Sequence, residues 1–209
     1  NFSGNKVSTI EHLLAAFYIN GIDNVIVEID NEEVPIMDGS SKEFIKILKS
    51  TGTKNQKSKR KYLKILEKVE LENETKKIVI EPSEMSFEVE FQLNFNNPII
   101  GNQKNCVNFS YDNLEDIYSS RTFCLLKDIE KIKKIGLAKG GSLQNAIVVG
   151  EDKILNEEGL RNENEFVNHK ILDLAGDFLL SGYRILGKVN CYEGGHNLSN
   201  IFLKKLLNS

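Results

Sequence analysis

The sequence predicts an α+β fold of two layered units, each a sheet with a pair of helices, packed face to face as a sandwich. Three observations carry that prediction. Some segments place apolar residues at helical spacing while others alternate them at strand spacing. In both halves the strand-like runs are interrupted by pairs of helices, the pattern of a sheet covered on one face. A polar, basic stretch, TGTKNQKSKRK, separates the halves and reads as a solvated linker, because it carries Gly, Ser and Asn but no interleaved aromatic residue. A phosphate contact is the other reading of that stretch. The expected units are residues 1–53 and 62–209, joined by a linker over 54–61.

Each element has its own reason. Ser8–Asn20 carries a helical stripe of Ile10, Leu13, Leu14, Phe17 and Ile19. Asn24–Asp30, NVIVEID, alternates as a half-buried strand. Gly39–Ser50 opens with serines and continues as an amphipathic helix through Phe44, Ile45, Ile47 and Leu48. Three strand-like runs follow, Tyr62–Leu71, Lys76–Ile80 and Ser86–Phe95. Later come a helix over Asp112–Tyr118, an extended piece over Arg121–Leu125 and a helix over Asp128–Ile135. The strand Asn145–Val149, the long helix Glu163–Leu180, the strand Arg184–Tyr192 and a closing helix from His196 complete the chain.

Composition narrows the function classes. At roughly 150 residues per domain, 209 residues make one large domain or two small ones. With 40% hydrophobic and 27% charged residues the chain is globular in composition. A net charge of −3 argues against a general nucleic-acid binder, which needs a basic surface to neutralise phosphates. No apolar run approaches the ~20 residues of a transmembrane segment, and the opening NFSGNKVST is polar, so no signal peptide is expected. Cys106, Cys124 and Cys191 are odd in number and lack CxxC spacing, which predicts buried thiols in a reducing, cytoplasmic setting.

The chemistry concentrates around the histidines. His169, Asp173 and Asp177 are spaced i, i+4, i+8 and lie nearly in line on one face of the long helix. A His/Asp pair four residues apart aims an imidazole nitrogen and a carboxylate oxygen at one point, the arrangement of two ligands on one ion. The plain alternative is a hydrogen-bonded polar stripe on a half-exposed helix. His12 directly follows Glu11, and a ligand beside a carboxylate suits a hydrolytic metal site. Against that stands Ser8-x-x-Glu11, a capping box in which Glu11 only closes the helix. His196 follows Glu193-Gly194-Gly195 at a helix start, where the dipole disfavours its cation; it is alternatively a proton donor to a leaving group. Two His and one carboxylate fit Zn²⁺ or the facial triad of Fe²⁺ oxygenases. The Gly140-Gly141-Ser142 turn lacks the spacing of a nucleotide loop.

STIEHLLAAF, GIDNVIVEID, VPIMDGSS, SRTF, GLAKGGS, AIVV, LNEEGLRNENEFVNHKILDLAGD and GGHNLSN occur in this order. The series closely resembles the zinc-dependent UDP-3-O-acyl-N-acetylglucosamine deacetylases, which carry out the committed step of lipid A synthesis. The resemblance implies two α+β domains packed face to face around the active site. It implies that His12, His169 and Asp173 ligate Zn²⁺ or Fe²⁺ and that Glu11 is the general base. It implies that His196, partnered by Asp177, is cationic or protonates the leaving amine, and that the Thr122 hydroxyl polarises the amide oxygen with the metal. By the same resemblance Lys170 contacts the diphosphate, Phe95 stacks on uracil and Phe123 sits beside the sugar. Gly141 of the glycine turn joins these expected substrate contacts, and the AIVV strand helps form an apolar tunnel for the acyl chain.

The resemblance begins almost at the first ligand and leaves the family's opening strands unmatched, so the first domain is expected to be incomplete: either the chain is a fragment, or it is a shortened homologue with an exposed sheet edge. Glu193 stands where the family usually has a basic residue, Cys124 replaces a glycine, and Lys139 is an unusual charge before the GGS turn. The expected protein is a cytoplasmic, monomeric amidohydrolase that removes acetate from UDP-3-O-(3-hydroxyacyl)-N-acetylglucosamine. The alternatives are a non-catalytic homologue that keeps fold and metal, and a deacetylase of another acylated amino sugar.

Overall fold

The computed structural model describes residues 4, 6–134 and 140–208. Alternation builds its main sheet. In β4 (Phe87–Asn94) the side chains of Phe87, Val89, Phe91 and Leu93 are buried while Glu88, Glu90 and Gln92 face away. β8 (Arg184–Tyr192) buries Ile185, Val189 and Cys191 in the same way. These two strands pair in parallel, with Val89 opposite Val189 and Phe91 opposite Cys191. Antiparallel β2 (Val69–Asn73) and β3 (Lys76–Pro82) add to one side of β8, and β5 (Asn102–Asn108) adds to the free side of β4. The order is β2-β3-β8-β4-β5, with β1 (Tyr62–Lys64) parallel to the start of β8.

Helices cover one face of this sheet, as the α+β expectation requires. α5 (Glu165–Leu179) and α6 (His196–Leu206) share a core with the strands: Phe178 lies 5.9 Å from the Phe87 ring and stacks on Phe202 at 6.1 Å. α5 is buried nearly all round because α1 (Glu11–Ile19) lies on its other side. At that crossing a Cβ on Gly176 would stand 2.1 Å from the Glu11 carbonyl oxygen, so only glycine admits the approach. α2 (Lys42–Thr51) packs Phe44 and Ile45 against Ala16 and Val34. The short α3 (Glu115–Tyr118), α4 (Ile129–Lys134) and a separate parallel pair, β6 (Phe123–Leu125) with β7 (Ile147–Val149), complete the described chain.

Several expectations are corrected. Asn24–Asp30 forms no strand: Val25, Ile26, Val27 and Ile29 are exposed, Ile26 at 90%. Its alternation calls for a sheet neighbour, and no described strand supplies one; before β1 the described chain has only a single bridge, Ser8 to Glu33. The run 62–71 is broken between β1 and β2, because the chain leaves β8 at the buried Ile65 and returns along β3. β5 was not foreseen; it is a polar strand, NQKNCVN, with only Val107 buried. Cys191 is buried, but Cys106 is exposed and Cys124 is intermediate, since they sit on outer strands. Ile135, Lys139 and the Gly136–Lys139 part of the glycine turn lie outside the described residues.

Candidate metal centre and active site

The approach at Gly176 brings the start of α1 onto the polar ridge of α5. His12, His169 and Asp173 meet there, all but sealed from solvent. His169 Nε2 lies 3.3 Å and His12 Nε2 3.6 Å from the same oxygen, Asp173 Oδ1. The two imidazoles stand edge to face at 5.0 Å. One donor atom from each of the three residues falls within 4.8 Å of the others.

The electrostatics suit a cation. Burial pulls the His169 pKa down to about 3, against the pull of Asp173, so the ring is neutral at pH 7. Its Nδ1 lies 3.1 Å from the Ser120 carbonyl and donates to it, which leaves Nε2 with a free lone pair. Burial alone would raise Asp173, but His169 and Lys170 beside it hold its carboxyl well below the usual range. Asp173 Oδ1 and His12 Nδ1 are buried with no hydrogen-bond partner. An unpartnered carboxylate oxygen in a dry site is costly unless a cation joins it. The donor set, two imidazoles and one carboxylate, therefore fits a divalent ion such as Zn²⁺ or Fe²⁺.

Around this cluster the other expected residues divide. The capping box is absent: Ile10 is the N-cap, no side chain caps α1, and Ser8 Oγ donates to the Glu32 carbonyl instead. Glu11 is thus free to face the site, its Oε1 4.0 Å from His196 Nε2. His196 opens α6 and donates from Nδ1 to Asp177, 3.0 Å from both carboxylate oxygens. That bond outweighs burial and raises the imidazole pKa to about 9, so the cationic form prevails despite the helix start. Nε2 points back to the cluster, 3.9 Å from Asp173 Oδ2.

Lys170 Nζ bonds Asp173 Oδ2 at 2.7 Å and lies 5.6 Å above the Phe123 ring. Phe123 in turn packs edge-on against Phe95 at 5.7 Å and faces His169 at 6.4 Å. Thr122 is pinned by its backbone, its N–H donating to the Gly39 carbonyl and its carbonyl accepting from Ile147. Its hydroxyl has no hydrogen-bond partner among the described residues. Gly39 must be glycine here, with φ +82° and no room for a Cβ beside Asn145. Gly141 is not drawn to the cluster; it lies in an exposed turn closed by Asn145, which accepts from Ser142 N and donates to the Gly140 carbonyl. Sequence reasoning missed the buried pair Arg121–Glu165, whose partners stand 44 positions apart.

The chain matches the family model described as UDP-3-O-acyl N-acetylglycosamine deacetylase over residues 1–208. Proteins named UDP-3-O-acyl-N-acetylglucosamine deacetylase from Nautilia profundicola, Syntrophotalea carbinolica and Pseudoalteromonas translucida are 46%, 44% and 42% identical to it. These alignments cover 98–99% of this chain and 66–70% of the relatives, so the chain spans about two thirds of their length. On sequence match and fold together, the chain belongs to the UDP-3-O-acyl N-acetylglycosamine deacetylase family.

Proposed function

We propose that this chain hydrolyses the N-acetyl group of UDP-3-O-acyl-N-acetylglucosamine, releasing acetate, with one divalent ion, Zn²⁺ in the first instance, held by His12, His169 and Asp173. The observation that carries the reading is the convergence of two imidazole nitrogens on the unpartnered Asp173 Oδ1, next to Glu11 and a cationic His196. When bound, such an ion supplies Lewis acidity, lowering the pKa of a water toward ~7 and polarising a carbonyl.

The chain's own groups do the rest. Glu11, beside the first ligand, takes a proton from the attacking water at its carboxylate. The hydroxyl of Thr122, without a hydrogen-bond partner among the described residues, donates to the acetamide oxygen as negative charge develops there, a contribution of about 3–4 kcal/mol for one preorganised donor. His196, kept cationic by Asp177, donates from Nε2 to the departing amine nitrogen. Phe95, Phe123 and Lys170 line one side of the same site and suit a uracil ring, a sugar face and a diphosphate. By the resemblance, the apolar β7 segment Ile147–Val149 lies beside the acyl chain. Placement in lipid A synthesis, in the cytoplasm, follows the resemblance; no helix among the described residues is long and apolar enough to cross a membrane.

Glu193, an acidic residue whose carboxylate accepts from Thr75 Oγ1 at 3.2 Å, favours as a second reading another acylated amino sugar as substrate. The test is release of free amine from both substrates by the purified chain, with His169→Ala as the metal-site control. Turnover of the UDP-sugar, lost in the control, supports the reading; turnover equal in the control refutes it.

A further inference from the structure

Arg121 heads the largest fully buried side chains, at 1% exposure, and no step of the proposed reaction uses it. Its guanidinium makes four hydrogen bonds among the described residues. Nε and Nη2 grip the two Glu165 oxygens at 2.9 and 3.2 Å, Nη2 also donates to the Gly159 carbonyl, and Nη1 reaches Glu158. Glu165, at 0% exposure on the first residue of α5, also accepts from the backbone N–H groups of Arg121 and Arg161. A buried ion pair is a weak source of stability, because desolvation offsets the attraction. What this one does is geometric. Its carboxylate sits four residues before His169, and its guanidinium is one residue after Ser120, whose carbonyl accepts the His169 Nδ1 proton.

We propose that the Arg121–Glu165 pair is a positioning device for the metal centre: it clamps the Ser120 carbonyl against His169 Nδ1, so that Nε2 is presented beside Asp173 Oδ1 with its lone pair free. The bidentate fork fixes both distance and direction, which a lysine at 121 cannot do. Asn162, donating to Ser120 Oγ at 3.2 Å, braces the same residue from the turn before α5. The inference rests on the metal-centre reading above, and outer partners of this kind are worth about 10–100-fold in metal affinity.

The test is Zn²⁺ affinity, measured on the 209-residue chain by competition with a chromophoric chelator, together with far-UV dichroism and melting. Arg121→Lys and Glu165→Gln are compared with Phe202→Leu, which loosens the core in α6 away from the pair. The expected result is Zn²⁺ bound about 10–100-fold more weakly by the folded pair variants and unchanged affinity in the core variant at a comparable loss of melting temperature. Arg121→Lys keeps charge and most of the volume, so it supplies the folded protein if Glu165→Gln does not fold. Folded pair variants that bind Zn²⁺ like the parent, or an equal loss in Phe202→Leu, overturn the proposal. A parent chain that binds no Zn²⁺ overturns the metal centre itself, a distinct failure.

Discussion

Gly176→Ala separates helix propensity from close approach by its sign. In a helix interior, Ala is favoured over Gly by roughly 1 kcal/mol, so propensity alone makes the variant more stable. The geometry says the reverse. The added carbon falls 2.1 Å from the Glu11 carbonyl oxygen, 2.9 Å from its carbon and 3.2 Å from the Ala15 nitrogen, all backbone atoms that cannot swing away. Ordinary contact begins near 3.4 Å, so α1 must retreat by 3.4 − 2.1 = 1.3 Å. Overpacking of this kind costs about 1–3 kcal/mol. Less the ~1 kcal/mol that propensity returns, the net loss is up to about 2 kcal/mol, and at ~2–4 °C per kcal/mol for a chain of this size the melting temperature falls by up to roughly 8 °C. The same retreat moves Glu11 and His12 away from Asp173, and a displacement of ~1 Å can cost about 10²-fold in rate. Thermal melting and amine release on the same preparation measure both effects. A Gly176→Ala protein that melts above the parent temperature shows propensity alone and refutes the close-contact reading of this glycine.

Three further outcomes follow from the site and the surface. Glu11→Gln keeps the bound metal and loses about 10²–10⁴-fold in turnover, whereas His169→Ala loses the metal; metal analysis beside turnover checks the split. The His196 pKa is raised from 6.5 to about 9, so the stability from its bond to Asp177 is complete below about 6.5 and lost as pH rises through about 9. Activity that needs the cation falls over the same upper range, and Asp177→Asn shifts the high-pH limb downward in a pH–rate profile. Ile26→Asp, at a side chain 90% exposed, changes stability by no more than about 0.5 kcal/mol in thermal melting.

How much of this was legible depends on whether the deciding interaction was local. α5 could be read from its apolar residues because nearly every face of it is buried, and β4 and β8 from an alternation that the sheet obeys. The ridge His169, Asp173 and Asp177 was legible from spacing alone. That His12 joins it was suggested by Glu11 beside it and by resemblance, but the contact itself is made by Gly176, and no local pattern marks a glycine as a helix crossing. β5 escaped because six of its seven residues are not fully buried, and polar alternation looks like a loop. NVIVEID misled for the opposite reason: its pattern is that of a strand, yet a strand needs a neighbour, and none stands beside it among the described residues. Ser8 and Glu11 matched a capping box in letters, but Ser8 bonds Glu32 before the helix begins.

The most direct test of the central claim is metal stoichiometry read together with turnover. The purified chain is stripped by chelator, assayed for amine release from UDP-3-O-acyl-N-acetylglucosamine, and titrated with Zn²⁺. The stripped protein is expected to show no turnover and a recovery that saturates at one ion per chain, with neither binding nor recovery in Asp173→Ala. Full activity after stripping, or Zn²⁺ bound equally by Asp173→Ala, contradicts it.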